Sequence, residues 1–575
     1  MARREIDAFW DRKTRNDLNE NFKELYNEYR EAGLNAKEAR EKAHEAVMKS
    51  DEAMALSERT QKELSQAILE GDSSPLGGQL SVGADGTIYS NPQERLVTEF
   101  NSVNQNLAQI ENVVINAEKF GAKAESGFDN VYAIQAAIDF VASLGGGEVK
   151  LPPGLWRLSA KLILKHNVSL IGSGVKATTI QIFDGTNDHV IEFEPKPWKT
   201  GGTYQRLENL TIDGNKTGQT GLSHGIYAPS SVMYTYINNV EVRNCLSDGI
   251  RYVSSHRNIL DNVVSEYNNG NGITLIDEVG EGVGTVTDNH VEMGYVTCSN
   301  NSGNGFNFIK PVDLKCVHLL ATNNTLDGFY IKNPAGGWCN ILDTIVSQGN
   351  RNALKIEGGT ALTINNFSAS VPSEYCLNVS ELRGGQFNNM SLANGGLGNI
   401  YLNRLELSNM SNIISKNDKQ DVDNIDMTNS RYNRFNNVYV EGGLHGIHQR
   451  NDSSANNFNN IEVREVAGYG IWIDGVSTVL IKENSYNGIY MRRIGSPDNA
   501  YTSAFYVRYA QDTHITGFRN SEDRATLDID YAIDLSTSER CTISNSLGVG
   551  KINGFRKHQD NTTSIISDTA ISQVF

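Results

Sequence analysis

The sequence predicts an all-β protein, a parallel β-helix in which each coil of the chain stacks on the coil before it. Short alternating segments open with a polar residue, a glycine and a large apolar residue, as in Asp248-Gly-Ile-Arg-Tyr252 and Asn271-Gly-Ile-Thr-Leu275. These landmarks recur at positions 249, 272, 305 and 328, at 353 with alanine in place of the glycine, and again at Gly446, Gly470 and Gly488. A repeat of about 20–25 residues with period-2 strands and Asn/Gly turns is typical of one β-helix coil. The glycine is expected to supply a left-handed turn before each strand.

The first 70 residues have a different composition, rich in Glu, Lys, Arg and Ala. Leu18, Phe22, Leu25 and Tyr29 are spaced by 4, 3 and 4 residues, and a longer series from Ala36 to Ala67 alternates steps of 3 and 4. That pattern is the seven-residue repeat of a coiled coil. An Ala-rich stripe buries too little to stabilise a lone helix. We therefore expect association between copies, and the broad seam favours three strands.

Two segments resemble known proteins. The stretch "GDSSPLGGQLSVGADGTIYSNPQERLVTEF" resembles a connector in tail and baseplate fibres of phages that infect Gram-positive bacteria. Residues 118–175 contain, in order, Phe120-Gly-Ala122, Ala133-Ile-Gln-Ala-Ala-Ile138, Gly145-Gly-Gly147, Leu151-Pro-Pro-Gly154 and Val168-Ser-Leu-Ile-Gly-Ser-Gly174. This order resembles the opening of the pectate-lyase-like right-handed parallel β-helix of phage tailspikes and appendages. Asp129-Asn130-Val131 stands where such proteins carry paired Asp and a Thr, and either residue type is able to cap the helix after it.

The resemblance implies a homotrimeric phage tail spike in the virion that acts at the host cell surface. The N-terminal helices would then attach to phage tail or baseplate proteins, and the β-helix body would contact a host cell-wall polymer. The expected organisation is a coiled coil at 1–70, a connector with a short helix at 71–117, a β-helix cap with the first coils at 118–175, a β-helix body at 176–545, and an end segment at 546–575.

Charge and composition exclude several functions. The formal net charge is −17 and no basic run occurs, so nucleic-acid binding is disfavoured. No apolar run is long enough to suggest a membrane partner. The six cysteines are scattered without a CxxC motif, so buried thiols are expected. The histidines show no metal-ligand spacing, and neither a metal nor another cofactor is expected.

Strand alternation predicts which side chains face outward. The residue two after each landmark should point out, giving a first column of Arg251, Thr274, Asn307, Tyr330 and Lys355. An acidic, Gly-rich insertion follows one strand of this block, and glycoside hydrolysis needs two carboxyl groups about 5–10 Å apart. The predicted catalytic candidates are therefore Asp277, Glu278, Glu281 and Asp313, with Arg251, Tyr330 and Lys332 binding substrate. The loop could equally be solvated or pack on a neighbouring subunit.

The second block predicts a strip suited to sugars. Its column contains His448, Trp472 and Tyr490, beside a ladder of Arg450, Asp474 and Arg492. Aromatic rings stack on sugar rings, and Arg and Asp bind hydroxyl, carboxylate or phosphate groups. The same ladder could instead join coils or subunits structurally.

These patterns lead to a hydrolytic depolymerase of a wall polysaccharide or teichoic acid as the first hypothesis. The target polymer is implied only by the resemblance to phage fibres. A non-catalytic receptor-binding fibre is the second hypothesis, because carboxylate pairs occur by chance in such a solenoid. A polysaccharide lyase with a Lys or His base is the third.

Overall fold

A computed structural model describes residues 113–575 with gaps at 198–199, 278–289, 335–339, 497–502, 522–528, 551–552, 558–563, 568–569 and 574–575, and isolated residues before 113. The chain divides into two compact units, Met1–Val114 and Ile115–Phe575. The predicted coiled coil and its three-stranded seam lie outside the described residues. Nearly all of the described residues belong to the second unit.

The described part of this unit is a right-handed parallel β-solenoid of about 15 turns. Most of its strands form two parallel sheets, and a further pair joins Ile481–Lys482 to Ala510–Gln511. In the described residues, sheet 1 has 24 strands: Val114–Asn116, Gly147–Lys150, Gly154–Leu158, Val168–Ile171, Thr178–Ile182, Arg206–Asp213, Tyr236–Arg243, Asn258–Glu266, Val291–Met293, Val296–Ser299, Lys315–Thr322, Asn340–Gln348, Leu362–Ser370, Gln386–Ala393, Asn409–Asn417, Arg434–Gly442, Asn457–Arg464, Ser485–Arg492, His514–Thr516, Arg519–Ser521, Thr542–Ser544, Leu547–Gly550, Ile565–Ser567 and Ala570–Gln573. Sheet 2 has 16: Leu162–Leu164, Ile191–Phe193, Ile226–Ala228, Ile250–Val253, Ile273–Ile276, Phe306–Ile309, Phe329–Lys332, Leu354–Glu357, Tyr375–Ser380, Gly398–Asn403, Ile425–Thr428, Ile447–Arg450, Ile471–Asp474, Ser503–Arg508, Tyr531–Ser536 and Asn553–Lys557.

One α-helix, Val131–Ser143, packs against the first coils, as the resemblance of that segment implies. Its inner face buries Ile134, Ile138 and Val141 completely. The side chain of Gln135 accepts a hydrogen bond from the Ile163 backbone N–H at 2.9 Å and donates one to the Ile163 carbonyl at 3.1 Å. The amide thus continues the backbone pairing of an end strand, which protects that edge from association. Short 3-10 helices lie at Ala117–Phe120 and Lys216–Gly218.

The predicted first-block register is confirmed. Ile250, Ile273, Phe306, Phe329 and Leu354 pair in series across sheet 2, and all five are buried. The Phe306 and Phe329 rings stack at 4.8 Å, the repeat expected between neighbouring coils. Residues one and three after each landmark therefore fill the core, and the residue between them lies on the outer face.

The landmark glycines have a different cause from the one predicted. Gly249 and its equivalents are absent from the residues with positive φ. A Cβ atom at Gly249 would overlap Ser265 Oγ, and it would lie 2.7 Å from Asn268 Nδ2 and 2.8 Å from Gly272 O. Close approach of the neighbouring coil excludes a side chain here, because interiors packed at this density do not tolerate an added methyl group.

Left-handed residues lie instead in the middle of the long strands of sheet 1. Asn389, Asn412, Asn437 and Asn460 have φ values of 54–56°, and each donates a side-chain hydrogen bond of 2.7–3.1 Å to the asparagine one coil earlier. The strand pairing skips these positions, so each long strand bends there. Gly488, at φ 65°, occupies the next position of this column and does not open a sheet 2 strand as predicted.

The end segment predicted for residues 546–575 contains further parallel strands, since Leu547 pairs with Ala570 and Ile533 with Phe555. Five cysteines of the described residues are buried and free: Cys245, Cys298, Cys316, Cys376 and Cys541. Within the described ranges, no helix has the length and apolarity to cross a bilayer.

Candidate functional site

The outer face of sheet 2 carries one side chain per coil in a single column. Because the pairing is parallel and in register, equivalent residues lie about 4.8 Å apart along the solenoid. From the N-terminal end, the column is Glu192, Tyr227, Arg251, Thr274, Asn307, Tyr330, Lys355, Asn378, Tyr401, Asp426, His448, Trp472, Tyr506, Asp534 and Arg556.

Six charged or titratable side chains meet in the C-terminal half of this column. We call them the His448 cluster: Asp423, Asp426, His448, Arg450, Asp474 and Arg508. His448 Nδ1 donates to Asp423 Oδ2 at 2.7 Å, and its Nε2 lies 3.8 Å from Asp474 Oδ2. Arg450 contacts both Asp426 at 2.5 Å and Asp423 at 3.3 Å. Arg508 donates to Asp474 at 2.9 Å.

The cluster balances three carboxylates against two guanidinium groups and an imidazole. The three carboxylate side chains are 12–18% exposed and that of His448 is 5% exposed, whereas Arg450 and Arg508 are 44% and 40% exposed. Carboxylates that are this buried stay ionised only when positive groups pair with them. The two arginines and the histidine supply that pairing. The half-exposed guanidinium groups are the part of the cluster most accessible to a large ligand.

Burial and pairing shift the pKa values of this cluster in opposite directions. Burial alone would lower the pKa of His448, but its contacts with Asp423 and Asp474 outweigh burial and the pKa is raised. Burial favours protonation of Asp423, yet His448 and nearby cations hold its pKa below the usual value. Burial and the neighbouring Asp423 charge raise the pKa of Asp426, in spite of Arg450. Neighbouring carboxyl groups with divergent pKa values are a common arrangement for an acid and a base.

Rings surround the charges. The imidazole of His448 stacks on the indole of Trp472 at 4.0 Å, with an angle of 8° between the planes. On the N-terminal side Tyr375 stacks on Tyr401 at 5.3 Å, and on the C-terminal side Tyr469 stacks on Tyr506 at 4.9 Å. Half-buried aromatic faces beside polar groups suit the C–H faces of sugar rings.

Three buried polar atoms of this region have no hydrogen-bond partner among the described residues: Asp426 Oδ1, His448 Nε2 and Trp472 Nε1. Such atoms are uncommon in folded proteins, and a bound water, ion or polar ligand is one explanation for them. Asp423, Asp426 and His448 also each offer a metal-ligand atom, and these atoms lie within 4.8 Å of one another. The guanidinium group of Arg450 already pairs with Asp423 and Asp426. A metal ion could bind these carboxylate oxygens only if their contacts with Arg450 were broken.

The second predicted block is partly correct. His448, Arg450, Trp472 and Asp474 come together as predicted. Tyr490 and Arg492 were assigned to the same column wrongly, because they lie in sheet 1, opposite Glu462 and Arg464. Tyr506 and Arg508 take the two positions, so the ladder is Arg450, Asp474 and Arg508. The wrong assignment arose because Gly488 was taken as the start of a sheet 2 strand. It lies instead at the left-handed bend within a strand of sheet 1.

Sequence reasoning missed Asp423 and Asp426. Their strand opens with Asn424 where the landmark requires glycine, so it was not recognised. Asp426 is nevertheless the second residue of Ile425–Thr428, which pairs in register with the predicted strand Ile447–Arg450. Extending the 20–25-residue step backwards from Gly446 would have found it.

The structure describes only two of the four catalytic candidates predicted in the first block, Asp277 and Asp313. Asp277 is 5% exposed and accepts a hydrogen bond from Ser254 Oγ at 3.0 Å, while Asp313 lies in a turn at φ 52°. Glu278 and Glu281 fall outside the described residues, so the catalytic role of this loop stays a prediction. Two of the three predicted substrate-binding residues of this block form hydrogen bonds with other side chains of the protein. Arg251 bonds Asp248 at 3.3 Å, Tyr330 donates to Glu357 at 2.6 Å, and Lys332 is exposed on the same strand as Tyr330.

The N-terminal part of the solenoid is similar to a known protein family. Residues 114–391 match the family model described as rhamnogalacturonase A/epimerase, pectate lyase-like. The matched segment is just under half of the chain and ends before the His448 cluster.

Two relatives come from Azotobacter vinelandii. Mannuronan C5-epimerase AlgE6 is 31% identical over 179 residues, which is 27% of this chain and 20% of that protein. Alginate lyase 7 is 28% identical over 218 residues, 34% of this chain and 23% of that protein. The chain thus spans about a fifth of the length of either relative. Among solved structures, the pre-mature bacteriophage phi29 gene product 12 is 14% identical, with 82% of this chain and 69% of that chain covered and a TM-score of 0.42.

Proposed function

We propose that the chain is a polysaccharide-active enzyme whose substrate lies on the outer face of sheet 2 and reacts at the His448 cluster. The observation that carries the proposal is the pair Asp423 and Asp426, two largely buried carboxyl groups with opposite pKa shifts beneath a tyrosine-lined strip. Its relatives are named for acting on mannuronan and alginate, which supports an acidic polysaccharide as the substrate class.

Hydrolysis is the reaction that this geometry fits best. Asp426, with its raised pKa, would protonate the glycosidic oxygen, and Asp423, held ionised, would attack or stabilise the sugar carbon. The two carboxylates offer oxygens no more than 4.8 Å apart, which is closer to the separation of about 5–5.5 Å in retaining enzymes than to the roughly 6.5–9.5 Å of inverting ones. Arg450 bonds both groups and would hold their spacing fixed.

Abstraction of a ring proton, by a lyase or an epimerase, is the second candidate. It is favoured by the relatives, which carry those activities in their names. In that reaction the half-exposed Arg450 and Arg508 would bind the sugar carboxylate, and the charged imidazole of His448 would stabilise the negative charge that develops on it. An ionised carboxylate of the cluster would take the proton from the ring carbon. A lyase would then break the bond to the glycosidic oxygen, which Asp426 would protonate, whereas an epimerase would return a proton to the same carbon from the opposite face.

Incubation with alginate, with pectate and with isolated bacterial wall polymers in deuterium oxide separates the candidates. Hydrolysis yields new reducing ends without ring deuterium, a lyase yields unsaturated ends that absorb ultraviolet light, and an epimerase introduces deuterium without cleavage. Saturable binding of polymer without any product would instead support a non-catalytic receptor-binding fibre.

The reactive residues are tested by Asp426→Asn and Asp423→Asn, with Asp277→Asn as the matched variant in the first block. We expect each of the first two to lower turnover by about 10²–10⁴-fold, the usual contribution of a positioned acid or base. Asp277→Asn should retain turnover. The opposite pattern would move the reactive centre to the acidic loop.

We further propose that the chain is a trimeric phage tail spike that reaches a wall teichoic acid or wall polysaccharide of the host. The heptads of residues 1–70 and the resemblance of the connector to phage fibres support this. The mass of the full chain in solution tests it, since a stable monomer would contradict both the trimer and the coiled coil.

A further inference from the structure

A second group of rings lies on the same outer face, near its N-terminal end. We call it the His189 cluster: His189, His224, Tyr227, Asp248 and Arg251. His189 lies 4.5 Å from the ring of Tyr227 and 5.0 Å from that of His224, and His224 stacks on Tyr227 at 5.8 Å with 16° between the planes. Arg251 donates to Asp248 at 3.3 Å. The cluster is far from the reactive residues proposed above. The proposed reaction therefore gives it no role.

The protonation of the two histidines follows from their hydrogen bonds. The backbone N–H of His224 donates to His189 Nδ1 at 3.2 Å, and the backbone N–H of Asp248 donates to His224 Nδ1 at 3.1 Å. A nitrogen that accepts from a backbone N–H carries no proton, so each ring is neutral with its proton on Nε2. Burial, the main influence, lowers the pKa of both rings, that of His224 to about 4.

The histidines occupy positions of a side-chain ladder that runs along this corner of the solenoid. One coil on, Asp248 Oδ1 accepts from the backbone N–H of Asn271 at 2.7 Å, and Asn271 Oδ1 accepts from that of Asn304 at 2.8 Å. A carboxylate or amide oxygen therefore serves the ladder as well as an imidazole does. The ladder alone does not require a ring, so the two imidazoles need another explanation.

The chemistry of the group fits the hydroxyl groups and the apolar face of a sugar ring better than a metal ion. The half-buried His189 and Tyr227 provide hydrogen-bond donors and a flat apolar face, and His224, which is 4% exposed, packs against both rings. Arg251 offers further N–H groups for hydroxyl groups. The nearby carboxylates Asp188 and Glu192 are joined to Lys161 at 3.6 and 2.8 Å, which reduces their repulsion of an acidic sugar.

We propose that the His189 cluster is an anchoring site that binds a sugar residue of the same polymer that reacts at the His448 cluster. This rests on the proposed function. Tyr227 and His448 belong to one column and are nine coils apart, which corresponds to about 43 Å along the solenoid. A polymer lying along the face would contact both sites, and its second contact would raise affinity without any new contact at the reactive centre. An oligosaccharide too short to span that distance would use one site only.

The test removes the rings while keeping the ladder. His189→Asn with His224→Asn preserves a backbone acceptor at both positions, as Asn271 already does, and Tyr227→Ala removes the third ring. Tyr295→Ala is the control, because this exposed tyrosine also stacks on a histidine, His318 at 4.6 Å, but lies beside sheet 1. Binding and turnover are measured with long alginate chains and with short alginate oligosaccharides.

We expect the ring variants to weaken binding of the long chains by about tenfold or more and to leave turnover of short oligosaccharides unchanged. Equal affinity of the ring variants and the wild type for long chains would overturn the proposal, as would an equal loss in Tyr295→Ala. Loss of short-chain turnover would overturn it too, because the cluster would then be reactive. Binding measured in the Asp426→Asn variant is independent of turnover, so a failure of the proposed reaction leaves the anchoring result readable.

Discussion

Replacement of His448 by glutamine removes the positive charge that lies between Asp423 and Asp474. At the 2.7 Å separation of His448 and Asp423, the Coulomb attraction is about 6 kcal/mol for an effective dielectric constant near 20. Desolvation of the two groups offsets part of it. Removing one partner of a buried pair costs about 3–5 kcal/mol, because the other charge stays buried and uncompensated. We expect that loss for His448→Gln.

The loss converts into a modest change in melting temperature. The unit Ile115–Phe575 would unfold with an entropy of about 1 kcal/mol/K if it melted in one step, so each kcal/mol lowers the midpoint by about 1 °C. His448→Gln should therefore melt about 3–5 °C lower than the wild type by circular dichroism. A larger shift is expected if the coils around the cluster melt separately, as stacked coils that contact only their neighbours are able to do.

The two pKa shifts determine the pH range in which the stability difference between wild type and His448→Gln is largest. The raised pKa of His448 means that its stabilisation is full below 6.5, the ordinary value, and is lost as the pH rises through the folded value. The lowered pKa of Asp423 means that its stabilisation is full above 3.8 and is lost as the pH falls through the folded value. The difference between wild type and His448→Gln should thus be largest between pH 3.8 and 6.5 and should shrink on both sides.

A double-mutant cycle with Asp423→Asn supplies the control. Asparagine leaves no buried charge for the missing imidazole to compensate, so the double variant should be more stable than the sum of the single losses implies, by about 1–3 kcal/mol. Equal melting temperatures of wild type and His448→Gln at about pH 5 would refute the reasoning. A difference that is the same at every pH would refute the assignment of the loss to charge.

Three further predictions concern the solenoid. Asn433→Ala should destabilise the chain by about 2–6 kcal/mol, because it leaves a buried backbone carbonyl and the backbone N–H of Ser408 without their hydrogen bonds of 2.7 and 3.0 Å; denaturant unfolding measures this loss. Gly249→Ala should cost about 1–3 kcal/mol through overlap with Ser265, whereas Gly127→Ala, with open space around it, should melt as the wild type does. The five described thiols should stay unreactive towards a thiol reagent until the chain unfolds, because they are buried.

The sequence predicts the coil repeat well because one residue pattern recurs at many passages of sheet 2, although not where Cys376 or Asn424 takes the position of the glycine. The landmark marks a place where the neighbouring coil approaches closely, which favours glycine in most of the recognised coils and alanine at Ala353. It fails at Gly488, because glycine also suits the left-handed bend of sheet 1, where asparagine stands in the coils before. One residue type thus serves two different corners, and the pattern alone does not separate them.

The candidate site was half predictable for the same reason. His448, Arg450, Trp472 and Asp474 follow landmark glycines, so their column could be read from the spacing. Asp426 follows Asn424, whose side chain donates to backbone carbonyls at 2.9–3.4 Å instead of leaving room for a neighbour. The chemistry of the cluster depends on such contacts between coils, which no pattern within one coil contains.

Histidines at the His189 cluster and beside the His448 cluster occupy the same kind of position in the side-chain ladder that connects neighbouring coils. His445 Nδ1 accepts from the backbone N–H of Tyr469 at 2.8 Å, as His189 and His224 accept from residues one coil on. His445 also packs edge-on against Trp472 at 4.9 Å, beside the proposed reactive centre. A ladder that accepts an amide, a carboxylate or an imidazole at any coil lets a ring be placed on the face without a new backbone arrangement. The outer face can therefore gain a ring at one coil while the coils around it keep their packing, which is consistent with the two separate sites proposed above.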